Sequence, residues 1–126
     1  MRRFVLLIAC FVGIAGLSGL ASAEGFLTKE ELKAFFSDRK VDTQTRDGVD
    51  MIQHFKPDGT LETFFNRPRN PHYRTTRWWV TDRNMICFEN AKGGRFCNRI
   101  EKVGDEYRRY RPKGDRPIPT FWRPRL

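Results

Sequence analysis

The sequence has little of the chemistry that enzyme active sites and metal centres use. Its 126 residues include only two histidines and three cysteines. Cys87 and Cys97 have neither the C-x-x-C spacing of redox proteins nor the spacing of zinc ligands. His54 and His72 are too isolated in the chain to complete a ligand set. We therefore expect no metal centre, no bound cofactor and no catalytic constellation.

The N-terminal segment has the order of a secretory signal peptide. Two arginines follow Met1, residues 4–20 are almost continuously apolar, and residues 21–23 read Ala-Ser-Ala. We therefore predict export to the periplasm and cleavage after Ala23. A retained membrane anchor is one alternative, because the apolar run nearly reaches the length that spans a bilayer. A lipoprotein modified at Cys10 is another, but it requires a longer apolar stretch before that cysteine.

The predicted mature chain, residues 24–126, is small and basic. A chain of roughly 100 residues forms one domain of modest stability, which a disulfide would support. Loss of Arg2 and Arg3 lowers the formal charge from +9 to +7. Arginine outnumbers lysine, and its planar group binds carboxylates and phosphates with two hydrogen bonds. A solvated basic face would have the same composition.

The positive charge is concentrated in the C-terminal segment and around residues 66–77, and each cluster also contains aromatic residues. We predict that the binding residues are Arg108, Arg109, Arg111, Arg116, Phe121, Trp122, Arg123, Arg67, Arg69 and Arg74. Such a surface attracts anionic polymers, membranes and acidic proteins. For an exported protein we expect lipopolysaccharide, anionic lipid at a membrane surface or an acidic protein as partner, and no nucleic acid.

The mature domain is predicted to begin with a capped helix. Thr28 has the features of an N-cap, and Glu31 three residues later completes a capping box. An apolar stripe follows at helical spacing, and it comprises Leu32, Phe35 and Phe36.

Beyond the helix, apolar residues recur with a period of two, which predicts short strands. Their predicted ranges are 41–45, 49–55, 60–65, 76–81, 85–89, 95–100 and 106–111, the first as an edge strand. Gln53 interrupts the apolar alternation of the second strand. A loop is predicted over 66–75, because Pro68 and Pro71 are unsuited to a central strand.

This order of elements predicts an α+β fold that is mostly β. The N-terminal helix is expected to pack on an antiparallel meander sheet or a partly open, lipocalin-like barrel. Residues 24–111 would form this single β-rich domain. Residues 112–126 would form a Pro/Arg-rich extended tail, either packed along the sheet or loose.

Cys87 and Cys97 are predicted to form a disulfide within a hairpin. Folding the chain about Lys92 places the two cysteines opposite each other. The same register places Phe88 opposite Phe96 and Glu89 opposite Arg95. The loop then has three residues with a glycine at its end, as such loops prefer. Closing so short a loop stabilises a fold by about 2–3 kcal/mol in the chain-entropy model.

Four stretches of this chain resemble a family of small exported bacterial proteins of unknown function. They are residues 27–32 (LTKEEL), 55–61 (FKPDGTL), 78–80 (WWV) and the cysteine hairpin over 87–97. The resemblance extends from Leu27 to about Tyr110. It implies a small β-rich fold similar to the lipocalin-type meanders, and it implies no activity. The arginine- and proline-rich tail lies outside it.

We expect a non-enzymatic binding domain. The only acid–base pair to consider is His54 and Glu62, opposite each other across a hairpin but without an evident nucleophile. One alternative is a carrier of a small apolar ligand inside a β-cup, although in so short a chain the aromatic residues more readily fill the interior. Those residues are Phe64, Phe65, Trp78, Trp79 and Phe88. A protein inhibitor that presents a hairpin or loop is the other alternative.

Overall fold

One short helix and nine strands make up the part of the chain that the structure describes. This computed structural model describes residues 25–69, 71–90 and 92–126. The predicted signal peptide and Cys10 lie outside these residues. The elements are β1 (Gly25–Phe26), α1 (Lys29–Phe36), β2 (Arg39–Gln44), β3 (Asp50–Phe55), β4 (Thr60–Phe65), β5 (His72–Val80), β6 (Ile86–Glu89), β7 (Arg95–Val103), β8 (Glu106–Tyr110) and β9 (Trp122–Pro124).

The strands form one antiparallel sheet that curls into a half-barrel. From β9 the order is β9-β2-β3-β4-β5-β6-β7, and both β8 and the short β1 pair with β7. The predicted α+β, mostly β class with a partly open barrel is therefore confirmed. Side chains alternate between a concave inner face and a convex outer face, as the pleat requires.

The helix covers one end of the half-barrel. The predicted capping box is present: the Thr28 hydroxyl accepts from the Glu31 amide at 3.3 Å, and the Glu31 carboxylate accepts from the Thr28 amide at 3.4 Å. Leu32 and Phe36 are fully buried. The Phe36 ring lies 5.3 Å from that of Phe55 and 5.9 Å from that of Trp122. We call this side the helix end and the opposite side the open end.

The predicted cysteine hairpin is confirmed in its register. Cys87 is bonded to Cys97, and the neighbouring pairs Phe88–Phe96 and Glu89–Arg95 stand opposite each other. The Asn90 amide donates to the Gly94 carbonyl at 2.8 Å. Gly93 has φ +81°, the left-handed conformation that such a loop needs.

The C-terminal tail is packed along the sheet and connects its two edges. The Ile118 amide donates to the Arg109 carbonyl of β8 at 2.8 Å, and further on β9 pairs with β2. The prediction of β2 as an edge strand is therefore wrong, because β9 pairs with the edge of β2 that faces away from β3. β9 has three residues and contains a proline, so it is too short for its alternation to predict a strand, and its pairing with β2 defines it.

The predicted loop over 66–75 is too long. β5 begins at His72, which pairs with Phe65, and Tyr73 pairs with Phe64 at a ring distance of 4.8 Å. Pro68 and Pro71 do lie outside the strand. The residues after Pro71 have backbone amides that can pair with β4. At this exposed end of the sheet the strand residues show no apolar alternation, so the sequence does not predict them as part of a strand.

An ion pair clamps the tail to β2, and we expect its contribution to depend on pH. The Arg125 guanidinium donates to Asp42 through Nε at 2.9 Å and Nη2 at 2.8 Å. These bonds lower the pKa of the Asp42 carboxyl below 3.8. A carboxyl of this kind stabilises the fold above its ordinary pKa, and the effect is lost as the pH falls through the lowered value.

Asp42→Asn should therefore lower the free energy of unfolding by up to about 1 kcal/mol at neutral pH, because the pair is partly exposed. The difference from the native protein should shrink as the pH falls below 3.8. Urea denaturation across this range measures it, with Asp115→Asn on the exposed turn after β8 as the control. A difference that stays constant with pH would contradict the clamp.

Candidate functional site

Two adjoining cavities occupy the inner face at the open end. Their volumes are about 660 Å³ and 530 Å³, within the range of about 300–1,000 Å³ that small-ligand sites span. Met51, Gln53, Phe88 and Phe96 line both. The cavities therefore form one recess, which we call the cup.

The floor of the cup is polar. It separates the recess from the apolar core beneath the helix. Its buried members are Thr43, Gln53, Thr63 and Asn98. The Thr43 hydroxyl donates to the Phe121 carbonyl at 2.7 Å, and the Asn98 amide donates to the Cys97 carbonyl at 2.9 Å. Gln53, which interrupts the apolar pattern of β3, thus shares the inner face with Met51 and Phe55.

The walls of the cup are aromatic and apolar. Phe88 and Phe96 stack with a ring distance of 5.7 Å, and Phe65 lines the opposite side of the smaller cavity. Phe96 is 49% exposed although it is large and apolar. An exposed aromatic beside a recess is a surface that a ligand would remove from water.

Positive charge surrounds the recess. The two linings contain six cationic side chains and one carboxylate, Glu89, which is already paired with Arg77 at 2.8 Å. The cationic residues are Arg46, Arg74, Lys92, Arg95, Arg109 and Arg111. This excess raises the local concentration of anions.

Arg109 carries its charge into the inside of the half-barrel. Its guanidinium carbon lies 5.4 Å from the centre of the Trp122 ring. Its Nε is enclosed and has no hydrogen-bond partner among the described residues. Burial lowers the pKa of Arg109 to about 10 because it disfavours the charged form. The group is still protonated at neutral pH, so the cup contains a desolvated cation that an anion would stabilise.

The structure separates the predicted binding residues into three groups. Arg74, Arg109 and Arg111 line the cup. Trp122 faces inward and packs against the core. The rest are exposed outside the cup: Arg67, Arg69, Arg108, Arg116, Phe121 and Arg123. The tail is thus not a separate surface, because its aromatic residues divide between the core and the outside.

Sequence reasoning missed most of the cup. It did not select Arg46, Met51 or Phe96, and it read Gln53 only as an interruption. The available signal was the alternation of Tyr107 and Arg109 in β8 with Arg111 just after it, which places all three on one face. The sequence prediction assigns Arg109 and Arg111 to the basic surface of the C-terminal segment instead.

The aromatics considered for an apolar ligand are also divided. Phe65 and Phe88 line the cup, whereas Trp78 is buried in the core. Phe64 and Trp79 alternate with these inner residues and belong to the outer face. The cup could therefore hold an apolar group, but its polar floor and basic surroundings do not suit a wholly apolar ligand.

His54 and Glu62 stand opposite each other, as predicted, but they bond elsewhere. The His54 Nε2 lies 2.8 Å from the Asp38 carboxylate, and Glu62 pairs with Lys56 at 2.6 Å. Both pairs are on the outer face, away from the cup. His54 and Glu62 are therefore each paired with another residue and not with each other.

Comparisons with protein-family models, characterised proteins and solved structures give no match for this chain. Within the described ranges, no group of three or more His, Cys, Asp or Glu side chains could hold a metal ion. In the same part of the chain, no helix has the length and apolar character needed to cross a membrane.

Proposed function

We propose that this protein is a non-enzymatic binding protein for an anionic component of the cell envelope, held at the cup. The observation that carries the proposal is the charge of the lining: six cations against one carboxylate that is already paired. Arginine-rich recesses with apolar walls suit ligands that offer both a charged group and a surface to cover.

The location rests on the N-terminal sequence. The charged start, apolar run and small-residue exit of residues 1–23 support export, and the Cys87–Cys97 disulfide suits an oxidising compartment. An exported protein meets the anionic head groups of lipids at membrane surfaces. The proposed partner is therefore a lipid-like anion rather than nucleic acid.

Charge reversal at the cup tests the proposal. Arg46→Glu/Arg111→Glu changes two exposed cations of the lining, and Lys113→Glu/Arg116→Glu makes the same charge change on the tail outside it. Binding is measured by sedimentation with phosphatidylglycerol vesicles, with phosphatidylcholine vesicles as the neutral reference. The native protein should bind only the anionic vesicles, and salt should weaken binding.

The cup pair should lose about tenfold or more in affinity, because in the proposed complex its cations lie next to the bound anion, where each contributes about 1 kcal/mol. The tail pair should retain most of its affinity. An equal loss in both pairs would mean that general surface charge drives binding. A loss confined to the tail pair would move the site to the tail and overturn the proposal.

A further inference from the structure

The two halves of the cup differ in chemistry. The larger cavity contains Arg109, Arg111 and the amides of Gln53 and Asn98. The smaller cavity extends from it over Leu61 and Phe65. Phe88 and Phe96 line both and form a continuous aromatic wall between them. The cations of the smaller cavity, Arg46, Arg74 and Lys92, are all at exposed positions, whereas Arg109 of the larger cavity is partly enclosed. A compartment with an enclosed cation therefore opens directly into one with apolar walls, which we call the apolar compartment.

The enclosed charge of Arg109 defines what enters the larger cavity. No ion pair among the described residues involves its guanidinium, and its Nε has no hydrogen-bond partner within those residues. A carboxylate or phosphate that enters the cavity and pairs with the guanidinium would neutralise this charge. A neutral ligand would leave this partly desolvated cation without a counter-charge, which costs free energy.

The apolar compartment defines the rest of the ligand. A small free anion would leave Phe96 and Phe65 exposed to water. A polyanion has charge along its whole length and gains nothing from the aromatic wall. A ligand with one anionic head and one hydrocarbon chain uses both compartments, because chain burial on the aromatic wall adds to the pairing of the head.

We propose that the ligand of the cup is a single-chain amphiphile with an anionic head, bound with its head at Arg109 and Arg111 and its chain along Phe88, Phe96 and Phe65. This inference rests on the proposed function and names the chemical class of the partner. A fatty-acid carboxylate and a monoalkyl phosphate share this chemistry, and both are probes below.

Calorimetric titration of the native protein with a chain series tests the inference. Dodecanoate should bind about tenfold or more tightly than octanoate, because each added methylene buries more apolar surface. Dodecyl phosphate should bind comparably to dodecanoate. Dodecanol, with the same chain and no charge, should bind at least about tenfold more weakly, as should acetate and inorganic phosphate.

Two variants separate head from chain. Arg109→Met should reduce dodecanoate affinity towards that of dodecanol and leave dodecanol binding unchanged. Arg111→Gln, which removes the second cation at the head, is the second variant if Arg109→Met does not fold. Phe96→Ser, at a half-exposed position, should reduce the gain from octanoate to dodecanoate. Circular dichroism confirms that each variant is folded.

The outcomes distinguish this inference from the proposed function. Equal binding of dodecanol and dodecanoate would overturn it in favour of an apolar carrier. Equal binding of acetate and dodecanoate would overturn it in favour of a small-anion site. In both cases the vesicle experiment decides separately, because a loss confined to the cup pair would still support an anionic envelope partner at this recess.

Discussion

A chain that ends at Arg111 should lose its cooperative unfolding transition or show it at a much lower urea concentration. The missing residues 112–126 supply β9, the only described strand on the outer side of β2. They also supply Trp122, whose ring packs against Phe36 in the core. The expected loss is therefore one of structure and not only of charge.

The size of this loss follows from what the tail buries. A large aromatic side chain buries about 150–250 Å², which corresponds to several kcal/mol at about 25 cal/mol per Å². Pro124 is also buried, and Arg125 adds the clamp to Asp42. A domain of this size is stable by only about 5–15 kcal/mol in total. Removing the tail should therefore remove a large part of the free energy of unfolding.

Urea denaturation followed by tryptophan fluorescence and circular dichroism measures the effect. A chain that lacks only Leu126, which is 84% exposed, is the control and should unfold like the native protein. If the chain ending at Arg111 had the native midpoint, the tail would merely lie on the surface. The expected outcome also means that truncation cannot test binding, because it disrupts the half-barrel to which the cup belongs.

Local signals made much of the fold predictable. The capping box needs only Thr28 and Glu31, three residues apart, and the cysteine hairpin is determined by a ten-residue separation with matching pairs on each side. Such signals depend on neighbours in the chain. Sequence alone therefore predicts the helix, the hairpin register and the mostly β class.

Long-range pairing was not predictable in the same way. Thr43 lies opposite Trp122 only because the tail returns to β2 from the far edge of the sheet. A strand of three residues that ends in Pro124 is too short to be predicted from the periodicity of the sequence. The sequence leaves a docked tail and a loose tail as alternatives, since an aromatic beside arginines looks the same in both.

The cup shows a second limit of sequence reasoning. An inner-face position is recognised by an apolar residue, and a polar residue there looks like an interruption of the pattern. Gln53 and Arg109 both break the apolar alternation on the inner face of their strands. Both residues line the cup, so the positions that depart from the apolar pattern are those that face the recess and not the core.

Arg109→Met should stabilise the fold even though it removes a charge from the cup. Burial lowers the pKa of Arg109 to about 10, which reflects a cation that has lost water without gaining an anion. Arg109 is half-buried and unpaired within the described residues, and replacing it by an apolar side chain of similar length removes a desolvation cost of about 1–3 kcal/mol. Loss of the contact with the Trp122 ring offsets part of this gain by about 0.5–2 kcal/mol.

We therefore expect the free energy of unfolding to rise by up to about 2 kcal/mol, measured by urea denaturation without ligand. Arg108→Met, at the exposed neighbouring position on the outer face, is the control and should change it by less than about 0.5 kcal/mol. A fall in stability for Arg109→Met would show that the guanidinium mainly holds Trp122 in place. A higher free energy of unfolding together with weaker dodecanoate binding would show that Arg109 contributes to ligand binding and lowers the stability of the fold.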